Sequence, residues 1–218
     1  MLKLYAFPMS CSYGPHVALI AAGIPFEVIW VRWPEASLSD GRQYRDVNPR
    51  LQTPALEISG EGLLTETPAI LQYIADLAPQ ARLAPANGTF ARTRLQEILN
   101  YLSSELHKQV LWSLANLFRM AGDKEALRTM YLDMLKARLD YLQERLGDSP
   151  FILGEEFSVA DPHLQVLLYS ASLRIGPLDP WPGLKAYNDR LMLEASVAKA
   201  YRLNVEERQR LLDAGFPA

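Results

Sequence analysis

The chain holds one cysteine, Cys11, placed between Ser10 and Ser12. A short apolar run, LKLYAF (2–7), precedes it and a helix-like run, VALIAAG (17–23), follows, so the sulfur falls at a strand-to-helix junction. At such a junction free N–H groups and the helix macrodipole stabilise a thiolate, either the protein's own or that of a bound thiol. Ser10 and Ser12 are both N-cap candidates and additional hydroxyl donors, and Pro15 is tolerated within a first helical turn. A free cysteine is also among the most buried residue types, so the functional reading needs partners elsewhere in the chain.

Three other stretches offer them. Thr53-Pro54 stands before a strand. Trans is the ordinary isomer there, whereas a cis bond would let the N–H and C=O of the preceding residue face outward and bind a peptide backbone as an extra strand. Glu66-Thr67-Pro68 opens a helix with Thr67 at N-cap and Pro68 at N1. That helix start suits a carboxylate and Glu66 suits an ammonium, which together would grip an amino-acid headgroup. Asn100, Ser103, Ser104 and His107 recur at helical spacing as a polar, mostly uncharged stripe, better suited to a cleft wall than to open solvent. Ser158 and Asp161 have capping-box spacing with Phe157 as a staple, and read as folding apparatus. His163 reads as a satisfied core histidine, and the tryptophans as core or cleft lining.

The elements that must position these groups differ along the chain. Residues 1–79 predict a strand (2–7), a helix closed by Gly23, a strand (26–33), a short polar helix (39–49), a hairpin about Gly60-Glu61 and a helix (68–79). This βαβαββα order, an α/β layer on a small mixed sheet, is the thioredoxin-like one. Residues 80–90 read as a linker, and 91–218 as all α, with helical periodicity at 91–120, 124–147, 158–174 and 183–201 and a terminal helix. Leu95, Ile98, Leu99, Leu102, Leu106 and Val110 form one apolar stripe on the first of these.

Composition narrows the function. Of 218 residues, 49% are hydrophobic and 22% charged, which is ordinary for a globular protein. A net charge of −3 gives no electrostatic reason to expect nucleic acid or an anionic membrane. A single cysteine excludes an internal disulfide. The three histidines lie far apart and no CxxC or HExxH spacing exists, so no metal is expected. No secretory pattern opens the chain and no apolar stretch nears the ~20 residues of a membrane span, so a cytoplasmic address is expected.

Five stretches together resemble the cytosolic glutathione S-transferases: SCSYGPH (10–16), NPRLQTPAL (48–56), LLTETPAILQYIAD (63–76), NYLSSELHK (100–108) and FSVADPHL (157–164). Cys-Ser-x-x-Pro-His followed later by Glu-Leu-His-Lys is similar to the bacterial beta class. The resemblance implies an N-terminal thioredoxin-like domain, an all-helical C-terminal domain, and glutathione as co-substrate. It implies conjugation to a small hydrophobic electrophile, thiol–disulfide or peroxidase activity through Cys11, and a homodimer. It implies that Cys11 lies by the glutathione sulfur with Ser12 as a neighbouring hydroxyl, and that His107 reaches over from the helical domain. Gln52, Thr53 and a cis Pro54 would pair with the glutathione backbone, Glu66 and Thr67 would hold the γ-glutamyl end, and Asn100 and Ser104 would share the stripe of His107. The second substrate is expected against Leu106, Val110 and Trp112. Ala36 stands where a lysine is common, Leu51 replaces a turn glycine, and Glu194-Ala195 replaces a common Arg-Pro. A zeta-like cis–trans isomerase is the first alternative, ranked second because Gly14 and His16 stand where that class carries arginines. A non-catalytic binding protein of the same fold is the other.

Overall fold

The computed structural model describes residues 1–216. Two compact units emerge, one of residues 1–84 with the segment from Leu193 onward, the other Pro85–Met192.

The first unit runs β1 (Leu2–Ala6), α1 (Tyr13–Ala22), β2 (Phe26–Arg32), β3 (Ser37–Leu38), α2 (Tyr44–Val47), β4 (Ala55–Ile58), β5 (Gly62–Thr65) and α3 (Thr67–Leu77). The strands form one sheet in the order β3-β2-β1-β4-β5. β1 and β2 are parallel and the other pairs antiparallel. β1 is central, and Leu2, Leu4, Tyr5 and Ala6 are all buried, which is why it reads as a near-continuous apolar run. Helices α1 and α3 pack together, while Tyr5, Ile29, Val31, Leu38, Tyr44 and Ala55 form a core cluster with Val47 and Leu51 against it. The helix expected over 39–49 is only one turn long, because Ser37 and Leu38 pair with Arg32 and Val31 and Ser37 bridges to Gln43.

Local chemistry explains the junctions. α1 stops at Gly23, whose left-handed φ of 66° lets its N–H reach the Leu19 and Ile20 carbonyls. The hairpin closes at Ile58 opposite Gly62, with the Glu61 N–H donating to the Ile58 carbonyl. α3 begins one residue earlier than expected. Glu66 takes the capping position with φ 69° and no side-chain cap bond, and Thr67, buried, becomes the first helical residue.

The second unit contains α4 (Phe90–Tyr101), a π-helical continuation (Leu102–Leu111), α5 (Trp112–Ala115), α6 (Lys124–Leu146), α7 (Ala160–Ile175) and α8 (Pro182–Leu191). Leu95, Ile98, Leu99, Leu102, Leu106 and Val110 are all buried, so the apolar stripe faces core. Thr89 caps α4 by accepting from the Arg92 N–H, and Asp123 caps α6 by accepting from Glu125 and Ala126. Asp161 is fully buried at the start of α7. Its carboxylate accepts from the Ser158 N–H (2.7 Å) and Oγ–H (3.0 Å), the Ile152 N–H (2.9 Å) and the Tyr187 hydroxyl (2.8 Å). Four donors on one carboxylate tie the turn before α7 to α8, a capping box extended into a tertiary knot.

α9 (Ala195–Asp213) groups with the first unit. The helical run expected over 183–201 breaks at Met192-Leu193-Glu194, with no Gly or Pro to mark it. Leu191 is buried in the helical unit, Val197 and Ala200 in the first, so packing on either side sets the break.

Candidate functional site

The strand-to-helix turn holds Cys11 half-buried, its Sγ 3.1 Å from the Thr53 carbonyl, to which the thiol donates. That bond exists only while the sulfur carries its proton. The Thr53–Pro54 peptide is cis, as the resemblance implied and as the residue types alone did not. Cys11 and the Thr53-Pro54 turn are therefore together although 42 residues separate Cys11 from Thr53.

Ser10 and Ser12 do something other than cap α1. Ser12 has helical dihedrals already (φ −69°, ψ −18°), so no side-chain cap bond forms. Its Oγ accepts from the Phe7 N–H (3.2 Å) and lies 3.1 Å from the Ser10 Oγ. Ser10 Oγ donates to the Phe7 carbonyl (2.7 Å) and accepts from the Ser12 N–H (3.2 Å). The two hydroxyls knit the turn back onto the end of β1, and Ser12 is only 1% exposed.

On the other side of the turn the Gln52 carbonyl accepts from the Tyr44 hydroxyl (2.6 Å) and Asn48 Nδ2 (2.8 Å), which fixes the backbone behind Thr53. Gln52 itself is exposed, and its Oε1 accepts from Arg50 (3.2 Å). Arg50 also pairs with the exposed Glu66 carboxylate at 2.9 Å, so the loop before β4 and the start of α3 share one cation. Leu51 stands in the left-handed region (φ 51°), the conformation a turn glycine would take freely; Ala36 does the same (φ 54°). Arg50 was not singled out from sequence, although a cation three residues before Thr53 was the available signal.

In the helical unit Asn100 and Ser104 are exposed, and Ser104 Oγ donates to the Asn100 carbonyl (2.9 Å). His107 is half-buried, and burial first, then Lys108 and Arg174, lowers its pKa to about 4, so it is neutral near pH 7. The stripe is not one face. Over Leu102–Leu111 the turns are wider, each N–H reaching back five residues, and Ser103 is drawn inward to bond His163 Nε2 at 3.1 Å. His163 is fully buried, but its Nδ1 has no hydrogen-bond partner among the described residues, so it is a core histidine satisfied on one nitrogen only. Leu106 and Val110, expected to line a substrate site, are wholly buried; Trp112 is the member of that trio that remains exposed, at 41%. Among the described residues no group of three or more His, Cys, Asp or Glu could hold a metal ion, and no helix is long and apolar enough to cross a membrane.

The first unit holds a thiol, a cis-proline turn and a carboxylate on neighbouring loops of one mixed sheet, and the helical unit carries a neutral imidazole. The glutathione S-transferase N-terminal domain model matches residues 8–77 and the C-terminal domain model residues 106–194. The chain is 34% identical to the glutathione S-transferase GstA of Escherichia coli O157:H7 over 82% of its own length and 88% of that protein. It is 26% identical to the maleylacetoacetate isomerase of Pseudomonas aeruginosa over 93% and 97% of the two chains. The beta-class glutathione S-transferase of Sphingomonas chungbukensis superposes with a TM-score of 0.84 at 36% identity, covering 93% of this chain and 98% of that one. The two matched domains, in the order the fold requires, and the near full-length likeness to GstA place the chain in the glutathione S-transferase family.

Proposed function

We propose that this protein is a glutathione transferase of beta-class type, which joins the glutathione sulfur to small hydrophobic electrophiles and also supports thiol–disulfide chemistry through Cys11. The observation that carries the reading is the 3.1 Å contact between Cys11 Sγ and the carbonyl before the cis proline. A cysteinyl backbone laid against Thr53 as an added strand would bring its own sulfur beside Cys11. In conjugation the glutathione thiolate attacks the electrophilic carbon, the leaving group departs with its electron pair, and the thiol proton passes to solvent. In exchange the Cys11 thiolate attacks a glutathione mixed disulfide, forming a Cys11–glutathione disulfide and releasing the other thiolate. A second glutathione thiolate then restores Cys11 and leaves as glutathione disulfide.

The remaining residues take binding roles. Gln52, Thr53 and Pro54 hold the backbone, and Glu66 and the α3 N-terminus at Thr67 hold the γ-glutamyl ammonium and carboxylate. Ser12 keeps the turn in shape. His107, neutral near pH 7, donates a hydrogen bond to the glutathione sulfur, with Asn100 and Ser104 on the same helical stretch. The exposed Trp112 is the apolar surface assigned to the second substrate. A lone cysteine used as a thiol suits a reducing compartment such as the cytoplasm. The working form is a homodimer, as the family implies, and the chemistry calls for no metal.

Glu66 gives the test of the binding half. Because its carboxylate is exposed and already shared with Arg50, Glu66→Gln removes a charge-assisted bond at the low end of the usual range. KM for glutathione should rise about tenfold while kcat with an activated aryl halide stays within about twofold. An unchanged KM would remove Glu66 from the site. The isomerase likeness supports a second reading, cis–trans isomerisation of maleylacetoacetate. Turnover of that substrate faster than of aryl halides would favour it.

A further inference from the structure

Asn204 lies on α9, 195 residues from Met9, and is 1% exposed. Its Oδ1 accepts the Met9 N–H at 3.2 Å, two residues before Cys11. Its Nδ2 lies 2.8 Å from the Ala200 carbonyl and 3.0 Å from His16 Nδ1. An amide has two N–H donors. One goes to Ala200 and the other to His16, so the amide orientation that serves Met9 obliges His16 Nδ1 to accept. The imidazole is thereby held neutral with its proton on Nε2. His16 is 2% exposed and stands edge-on to Phe26 and Trp30, with ring centroids 5.6 and 5.9 Å away. Met9 itself is in the left-handed region (φ 51°), which an L side chain adopts when its surroundings hold it there. Tyr13 adds a further tie, its hydroxyl donating to the Val197 carbonyl at 3.4 Å.

One buried amide thus grips the Cys11 turn on both sides, Met9 before the sulfur and His16 after it. We propose that Asn204 is a positioning residue for the sulfur site: it sets the backbone of the Met9–His16 segment so that Cys11 Sγ meets the Thr53 carbonyl. Its kinetic consequence rests on the glutathione-transferase reading; its geometric consequence does not.

Three arms test it on the full chain. In the wild-type protein, nitrogen NMR should show His16 Nδ1 unprotonated at pH 7, and in Asn204→Asp, whose carboxylate can only accept, Nδ1 should become the protonated nitrogen. In Asn204→Leu, alkylation of Cys11 by iodoacetamide without glutathione should change about tenfold, with kcat for conjugation falling by a similar factor, the size expected when a reacting group is misplaced by a fraction of an ångström. Leu211→Ala, a buried change on the same helix away from the turn, should lower the melting temperature and leave alkylation and kcat within about twofold of wild type. Wild-type His16 carrying its proton on Nδ1 would overturn the proposal. So would Asn204→Leu and Leu211→Ala alkylating alike. A chain that failed to conjugate glutathione would remove the kinetic arm alone, and the other two would still decide.

Discussion

Cys11→Ala should abolish glutathione-dependent thiol–disulfide exchange, by about 100-fold or more, while conjugation of an electrophile to glutathione survives within about tenfold. The two reactions use different sulfurs. Exchange requires a protein thiolate to enter a mixed disulfide, and Cys11 is the only cysteine in the chain. Conjugation requires only the glutathione thiolate, placed by Thr53 and Glu66, so loss of the neighbouring thiol changes its surroundings and not its identity. The Cys11–Thr53 bond sharpens the expectation: alanine leaves that carbonyl without its thiol donor, and a bound peptide N–H can take the place. Steady-state rates for both reactions on one preparation would settle it. Undiminished exchange in Cys11→Ala would rule out the redox role, and conjugation would then centre on the turn around Ser12.

Acidification should destabilise the protein above the pH at which carboxylates protonate. Burial, with Lys199 second, lowers the His16 pKa to about 4. Burial, with Lys108 and Arg174 following, does the same to His107. His163 falls to about 3, by burial and then by His107. In the unfolded chain all three titrate near 6.5. Between about pH 6.5 and 4 the unfolded state binds more protons, so stability rises with pH across that window and is lost as pH falls through it. Each imidazole contributes up to about 1.4 kcal/mol per pH unit, so the three together remove on the order of 3–4 kcal/mol between about pH 6 and 5. Burial raises the pKa of Asp161 against the pull of its four donors and works in the opposite sense, one group against three. Against a typical stability of about 5–15 kcal/mol, that loss is a large fraction of the total. Urea unfolding at pH 7, 6 and 5 measures the slope, and a flat profile would show that the histidines are not buried as neutral groups.

Much of this was legible along the chain because it is local. Gly23 stops α1, the Gly60 turn closes the hairpin, and the six apolar residues from Leu95 to Val110 announce a buried helix face by spacing alone. Cys11 at a strand-to-helix junction could be read in the same way, and so could the Ser158–Asp161 box. What could not be read depends on contacts made far away or on a period that changes. The cis Thr53–Pro54 bond came only from the family resemblance, since trans is the ordinary isomer. Ser10 and Ser12 looked like caps because hydroxyls before a helix usually are, yet they bond back to Phe7. The stripe from Asn100 to His107 was drawn on an α period, and the π-helical turns carry Ser103 inward to His163 instead. The break at Met192-Leu193-Glu194 has no Gly or Pro, and Asn204 is an unremarkable helix residue until α9 lies against α1.

The most direct test of the central claim is a calorimetric titration of glutathione into the full chain. One site per chain, saturating below about 1 mM and weakened by Glu66→Gln, is the expected result. No heat of binding at millimolar glutathione, in a preparation that is folded by circular dichroism, would contradict it.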